Sequence, residues 1–375
     1  MKKEDSLPTA STDISSTRAE ADSQSPGFSR RRSFLKGMGV AGAALTAGAL
    51  LTTAAEADDS YGHGLSESDA AILRFVAAAE IIESDLWIQY TELGGVMASN
   101  AYQNAFTQLD GDGPQYITSN TLDEVSHANF LNAYLESKGA KPVNLEKFRT
   151  LPGSKATGAQ SIKRITNLSQ LTVDTSWFTR YRSKKNPDFG ATFPQAIVLK
   201  DVPGIPLTDA DFGNSDHIQA IANTAAFHFA FIEQGGSSLY SAMVQKASSI
   251  EVLRIVVSIG GDEVAHFLEW VDFAGNGVQG PVAPFTDPTN GLTFPDFNAT
   301  NNPLLQTNLI FPLPCEFISP KLPLCAVIRP TEPKGIAAGA VKAFTNDGLF
   351  IGQSNEFFDV LHELAEDADA AKRRF

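Results

Sequence analysis

Two pentapeptides carry residue types that can bind metal. Asp123-Glu124-Val125-Ser126-His127 and Asp262-Glu263-Val264-Ala265-His266 are two copies of Asp-Glu-Val-x-His, and each sets a Glu and a His three residues apart. On a helix that spacing puts both side chains on one face. Leu131 and Tyr134 continue the face after the first copy; Leu253, Val256, Gly260 and Trp270 surround the second. A carboxylate on a core-facing stripe is costly unless it is paired or bound to a cation. Two such pairs predict a cation in the core.

Two further Glu residues extend the pattern. Glu83 follows Ile82 and precedes Tyr90 by seven residues, as Glu233 follows Ile232 and precedes Tyr240 by seven. Seven residues is about two helical turns, so each Glu shares a face with its Tyr. The chain reads as two halves, each a Glu-x6-Tyr segment followed by Asp-Glu-Val-x-His. The expected metal ligands are Glu83, Glu124, His127, Glu233, Glu263 and His266. Glu83 and Glu233 would be terminal carboxylates, Glu124 and Glu263 bridging ones. Four carboxylates and two neutral imidazoles offset two divalent cations. Oxygen-rich ligation with one imidazole per ion suits iron, then manganese, better than zinc. Asp123 and Asp262 have two readings: acceptors for the outer N–H of the opposite His, or ordinary helix-surface residues. Register places Glu80 at the edge of the first stripe, partly solvated or paired with Arg74. His63, His217, His228 and His362 suggest no role, and Gly235-Gly236 and Gly260-Gly261 read as packing.

Four stretches with three- and four-residue apolar periodicity must position these side chains. They run over about residues 66–93, 121–138, 216–247 and 249–274. Gly94-Gly95 and Gly139 are stops, and Ser248-x-x-Glu251 is a capping-box start. The Gly111-Asp112-Gly113-Pro114 segment reads as a loop. The long connection 140–215, with Trp177, Phe178 and Tyr181, reads as a crossover. Residues 276–335 are Pro-rich and aperiodic, an extended arm, and a last helix is expected over 354–372.

One Glu from each of two helices, plus Glu-x-x-His from each of two others, resembles the ligand pattern of ferritin-like carboxylate proteins. The resemblance covers residues 66–138 and 216–275. It implies an all-α fold: a ferritin-like four-helix bundle over 58–275 with a long crossover, then a C-terminal arm over 276–375. It implies a dinuclear iron or manganese protein reacting with dioxygen or peroxide. The alternative is a non-catalytic metal-binding or stress-protection protein, since the family includes exported, desiccation-associated members. A storage cage fits poorly, because crossover and arm add bulk to any shell.

The first 57 residues read as an address. Arg31-Arg32-Ser33-Phe34-Leu35-Lys36 resembles the twin-arginine export signature, an uncharged run from Gly37 follows, and Ala55-Glu56-Ala57 has the form of a signal-peptidase site. The twin-arginine translocon is then a transient partner, and the mature protein lies in the periplasm or outside the cell. No stable membrane anchor is expected. A net charge of −14 argues against nucleic acid as a partner. Cys315 and Cys325 are too few for a disulfide scaffold or zinc site, and either one disulfide or two thiols fits. Oligomeric state is open. N-terminal sequencing of exported protein should begin at Asp58, and replacing Arg31 and Arg32 with Lys should leave the precursor uncleaved inside the cell. Normal export of that variant would remove the twin-arginine assignment.

Overall fold

The computed structural model describes residues 64–180, 194–300, 312–315, 317–328 and 330–374. The export segment 1–57, its cleavage site, His63 and Tyr181 lie outside the described residues. The chain from Ser60 onward is one unit, mostly helical with little strand.

Four long helices carry the site: α1 (Glu67–Gly94), α3 (Gly113–Ser137), α5 (Ser215–Met243) and α6 (Ile250–Asn276). They pack most extensively as two pairs, α1 with α3 and α5 with α6. Ser66, Asn214 and Ser249 cap α1, α5 and α6 by accepting backbone N–H groups of the first turn. The cap of α6 is thus Ser249, one residue past the expected box. Asp69, buried near the start of α1, accepts from the backbone N–H groups of Ser248 and Ser249 and ties the starts of α1 and α6 together.

Three elements depart from the sequence expectation. A short helix, α2 (Ala101–Leu109), is capped by Asn100 and buries Tyr102 and Phe106. Helix α3 starts eight residues early, at Gly113. Pro114 falls in its first turn, where a missing N–H costs nothing, so the Gly-Pro pair begins the helix. In the C-terminal part, α7 (Ile336–Asp347) is an addition, whereas α8 (Asn355–Ala370) is the last helix expected over 354–372; α7 packs on α5, α8 on α1, and the two on each other. Before them lies the stretch 276–335 read as an extended arm. It holds two small hairpins, β3 (Phe285–Thr286) with β4 (Thr293–Phe294) and β5 (Pro312–Leu313) with β6 (Cys325–Ala326). Cys315 and Cys325 are both free thiols.

The crossover is pinned to α1 by charge. It contains one short antiparallel pair, β1 (Leu171–Val173) with β2 (Leu199–Val202), and the short helix α4 (Trp177–Arg180). Asp85 of α1, buried, accepts from the N–H groups of Ile165 and Thr166 and the Thr166 hydroxyl at 2.8–2.9 Å, and ion-pairs with Arg149. Glu92, two turns on, pairs with the buried guanidinium of Arg164. No helix among the described residues is long and apolar enough to cross a membrane. Asp85→Ala should leave the amides of Ile165 and Thr166 without their acceptor and half-buried Arg149 with Glu146 alone, and destabilise the chain by about 2–5 kcal/mol in denaturant unfolding. A loss below 1 kcal/mol would mean the crossover is held by its apolar contacts alone.

Candidate metal centre

Between the four long helices, two groups of side chains each converge with ligand atoms within 4.8 Å of one another. Glu80, Glu124, His127 and Glu263 form one; Glu124, Glu233, Glu263 and His266 form the other. The two share Glu124 and Glu263. Every member is buried, with the four shared or terminal Glu residues at 0% exposure. The His127 and His266 ring centroids stand 6.4 Å apart.

The two imidazoles are oriented alike. His127 turns Nδ1 inward, 3.3 Å from Glu80 and 3.4 Å from Glu124, and Nε2 outward, 3.2 Å from Asp262. His266 turns Nδ1 inward, 3.1 Å from Glu124 and 3.3 Å from Glu233, and Nε2 outward, 3.4 Å from Asp123. A carboxylate can only accept, so each Nε2 donates outward, and in the neutral ring each Nδ1 is the lone pair that faces the centre. Of the two readings of Asp123 and Asp262, each Asp does reach the opposite His.

The terminal carboxylates are fixed by exchanged aromatic donors. Trp87 of α1 donates its Nε1–H to Glu233 of α5 at 3.0 Å, and Tyr240 of α5 donates its hydroxyl to Glu80 of α1. Asn120 donates to Glu124 at 2.8 Å and is itself held by Trp270 Nε1 at 2.6 Å. Trp87, Phe229 and Trp270 pack ring on ring beneath, with centroids 4.7–5.3 Å apart, and exclude water from that side. Above, Gly236 leaves room for a ligand: a Cβ there would sit 1.8 Å from Glu263 Oε2. Gly236 is therefore required by the carboxylate and is more than packing. Gly260 similarly admits the Tyr240 Cβ.

The site register differs from expectation by one turn of α1. Glu80 is fully buried, ligand-facing and bonded to Tyr240; it is neither solvated nor paired with Arg74. Glu83 is buried too, but belongs to neither group of four. It lines a small crevice with Phe231, Gly236, Leu239, Ala340 and Phe344. The reason is the environment of α1. Most of its circumference is buried, because crossover and α8 cover the sides away from α3 and α5. A helix buried on nearly all sides has no apolar stripe to separate Glu80 from Glu83. The missed signal was Glu80-x6-Trp87 beside Glu233-x6-Tyr240, two Glu residues each seven before an aromatic donor. Tyr90, the expected partner of the Glu83 register, instead meets His228.

Electrostatics decide what this cluster needs. Burial, then the charge of Glu233, pushes the Glu124 carboxyl up to about 8. Burial, then Glu124 and Glu233, pushes Glu263 well up; burial, then Glu80, does the same for Glu83. Burial pulls His127 down, but attraction to the Glu124 and Glu80 carboxylates outweighs it and pushes it up to about 10. Burial and mutual repulsion thus draw Glu124 and Glu263 toward their protonated forms, and the surrounding carboxylates do the same for the two imidazoles. Among the described residues, the ion pairs of these five carboxylates are with His127 and His266 alone. Seven buried atoms facing the centre have no hydrogen-bond partner: Glu80 Oε2, Glu124 Oε2, His127 Nδ1, Glu233 Oε2, both Glu263 oxygens and His266 Nδ1. These donors fit metal cations.

No family model, curated protein or solved structure matches the chain. What the centre does must be read from its own atoms. A buried acidic and imidazole cluster could hold metal ions; the geometry leaves their number and identity open.

The pH dependence follows from the shifts. His127, at about 10 folded against an ordinary 6.5, adds stability below pH 6.5 that is lost as pH rises through 10. Glu124, at about 8 against 4.5, likewise binds its proton more tightly when folded, so stability falls as pH rises from 4.5 to 8. Both terms have the same sign. A cation displaces these protons, so binding strengthens with pH. The gap in melting temperature between manganese(II)-loaded and metal-free protein should widen from pH 5.5 to pH 8. A gap that is constant or narrows would show that the cluster does not exchange protons for metal.

Proposed function

We propose that the chain is an exported ferritin-like protein whose four-helix bundle holds two divalent cations and reacts with dioxygen or peroxide. The observation that carries this reading is the concentration of unpartnered ligand atoms between the helices, in two overlapping groups. Glu80, Glu124 and His127 would hold one ion and Glu233, Glu263 and His266 the other, with Glu124 and Glu263 within reach of both. Iron is favoured over manganese by the donor set. The export step rests on Arg31-Arg32 and the Ala55-Glu56-Ala57 exit.

Bound there, two redox-active ions would supply electrons to the oxidant. The chain's own groups supply the rest. Asp123 and Asp262 fix the imidazole tautomer and raise the basicity of each inward nitrogen. Tyr240 and Trp87 hold one oxygen of each terminal carboxylate and leave the other free for an ion. The aromatic floor keeps out bulk water, which strengthens every charge interaction inside.

Protein recovered after export should contain about two metal ions per chain by elemental analysis. Glu80→Ala should lower that content and the melting temperature with it, because the cation that would offset the remaining carboxylates is then held less tightly. Glu83→Ala should retain both ions. The reverse pattern, with Glu83→Ala empty and Glu80→Ala filled, would sink the ligand set. Reduced protein should then consume dioxygen or peroxide, and Glu263→Ala should not; equal consumption would leave metal binding without turnover.

A further inference from the structure

A second buried polar chain lies beside the centre and takes no part in it. Tyr90 of α1 is fully buried, and its hydroxyl lies 2.7 Å from His228 Nδ1 on α5. His228 Nε2 lies 2.7 Å from Asp347 Oδ2 at the end of α7, with both side chains at 0% exposure. The Asp347 carboxylate accepts from His228 Nε2, and with the hydrogen there the Nδ1 left facing the phenol is the acceptor. In that tautomer Tyr90 donates to His228. The crossover closes over the pair: a Cβ at Gly204 would stand 2.6 Å from the Tyr90 oxygen.

Tyr90 is also one ring from the centre. Its ring meets Trp87 edge-on at 5.9 Å, and Trp87 is the indole that donates to Glu233. Trp87 stacks on Trp270 at 5.3 Å, which reaches Glu124 through Asn120. The aromatic path thus ends on groups that face both halves of the site.

A phenol gives up an electron readily only when its proton leaves at the same time. Buried in an apolar core, it needs a hydrogen-bonded base to take that proton. Tyr102, equally buried, donates to the carbonyl of Gly204 at 2.5 Å, which cannot accept a proton. Tyr240 donates to Glu80, a group of the centre itself. Tyr90 has a titratable base outside the centre.

We propose that Tyr90 is a reserve one-electron, one-proton donor to the carboxylate centre, with His228 as its proton acceptor. This rests on the reading of the centre as a metal site that reduces peroxide or dioxygen. Hydrogen peroxide takes two electrons and two protons to give two waters. When the loaded centre can supply only one electron, Tyr90 supplies the other through the Trp87 indole. The phenol O–H bond breaks, its proton forms the new N–H bond at His228 Nδ1, and a neutral phenoxyl radical remains. The Asp347 carboxylate balances the resulting imidazolium. The two protons of the waters come from solvent.

The test begins with metal-free full-length protein, so that it does not depend on the centre. Flash photolysis with tris(bipyridine)ruthenium(II) and a sacrificial acceptor generates a one-electron oxidant, and electron paramagnetic resonance reads the product. The expected result is a long-lived tyrosyl signal that falls at least fivefold in Tyr90→Phe and is unchanged in Tyr102→Phe. His228→Gln should shorten its lifetime at least fivefold, and Asp347→Asn, which keeps the shape of the acid, should shorten it to a smaller degree. Absence of the signal in the parent, or an equal signal in Tyr90→Phe, overturns the proposal. So does an unchanged lifetime in Asp347→Asn together with His228→Gln, or in Asp347→Asn alone if His228→Gln does not fold. Adding peroxide to iron(II)-loaded protein should then produce the same Tyr90 signal. A signal under photolysis but not with peroxide would mean Tyr90 is oxidisable but not wired to the centre. Failure to bind metal, with the photolysis signal intact, would sink the reading of the centre instead.

Discussion

Five carboxylates share one small volume of the core, and no lysine or arginine among the described residues is paired with them. Like charges at such distances in a dry interior cannot all ionise without compensation. In the chain alone, protons are the available remedy, which is why Glu83, Glu124 and Glu263 are pushed up by burial and by one another. The imidazoles take up some of the charge. A pair of divalent cations would remove the conflict without moving a helix. The arrangement of the four long helices is therefore conditioned on what occupies the space between their Glu residues.

The same conflict explains why the helices exchange partners. Each terminal Glu is anchored by an aromatic donor on another helix, Glu233 by Trp87 and Glu80 by Tyr240. Each His is anchored by an Asp of the opposite helix, His127 by Asp262 and His266 by Asp123. These pairs cross between α1 and α5 and between α3 and α6. They give the site an approximate internal two-fold symmetry. They also make it a clamp: displacing one helix would free a buried acceptor or donor at two places, with the full cost of leaving it unmade. Gly236 belongs to this logic, since α5 can lie against Glu263 only where it has no side chain.

Much of this was legible in the sequence, because a repeated motif is a strong signal. Glu124, His127, Glu263 and His266 stand in two matching pentapeptides, and matching motifs on periodic helices must face a common centre. Glu233 was legible because α5 carries one Glu in its inner part. Helix α1 was not, because Glu80 and Glu83 lie a turn apart and nearly all its surface is covered. Its covering comes from elements that short-range periodicity does not announce: the crossover held by Asp85, and α7 and α8 after a Pro-rich stretch. Helix α2 escaped for another reason. Nine residues between a glycine pair and a Gly-Asp-Gly-Pro segment read as loop, yet Asn100 caps them and Tyr102 and Phe106 bury into the core.

The chain's treatment of its other buried charges is the strongest argument for a cation. Asp85 accepts two backbone N–H groups and a hydroxyl and pairs with Arg149. Glu92 pairs with Arg164, Asp69 accepts two amides, and Asp347 takes the N–H of His228. Each of these acids sits in the same core and was given specific donors by the fold. In the centre the pattern changes. Glu80 and Glu233 each have one oxygen held and one left bare, while both Glu263 oxygens and both inward imidazole nitrogens are bare. Single unpartnered oxygens occur elsewhere, at Asp347 and Glu269, but only in the centre do seven such atoms from six side chains face one another among the described residues. Their chemistry, carboxylate oxygen with imidazole nitrogen, matches hard and borderline divalent cations.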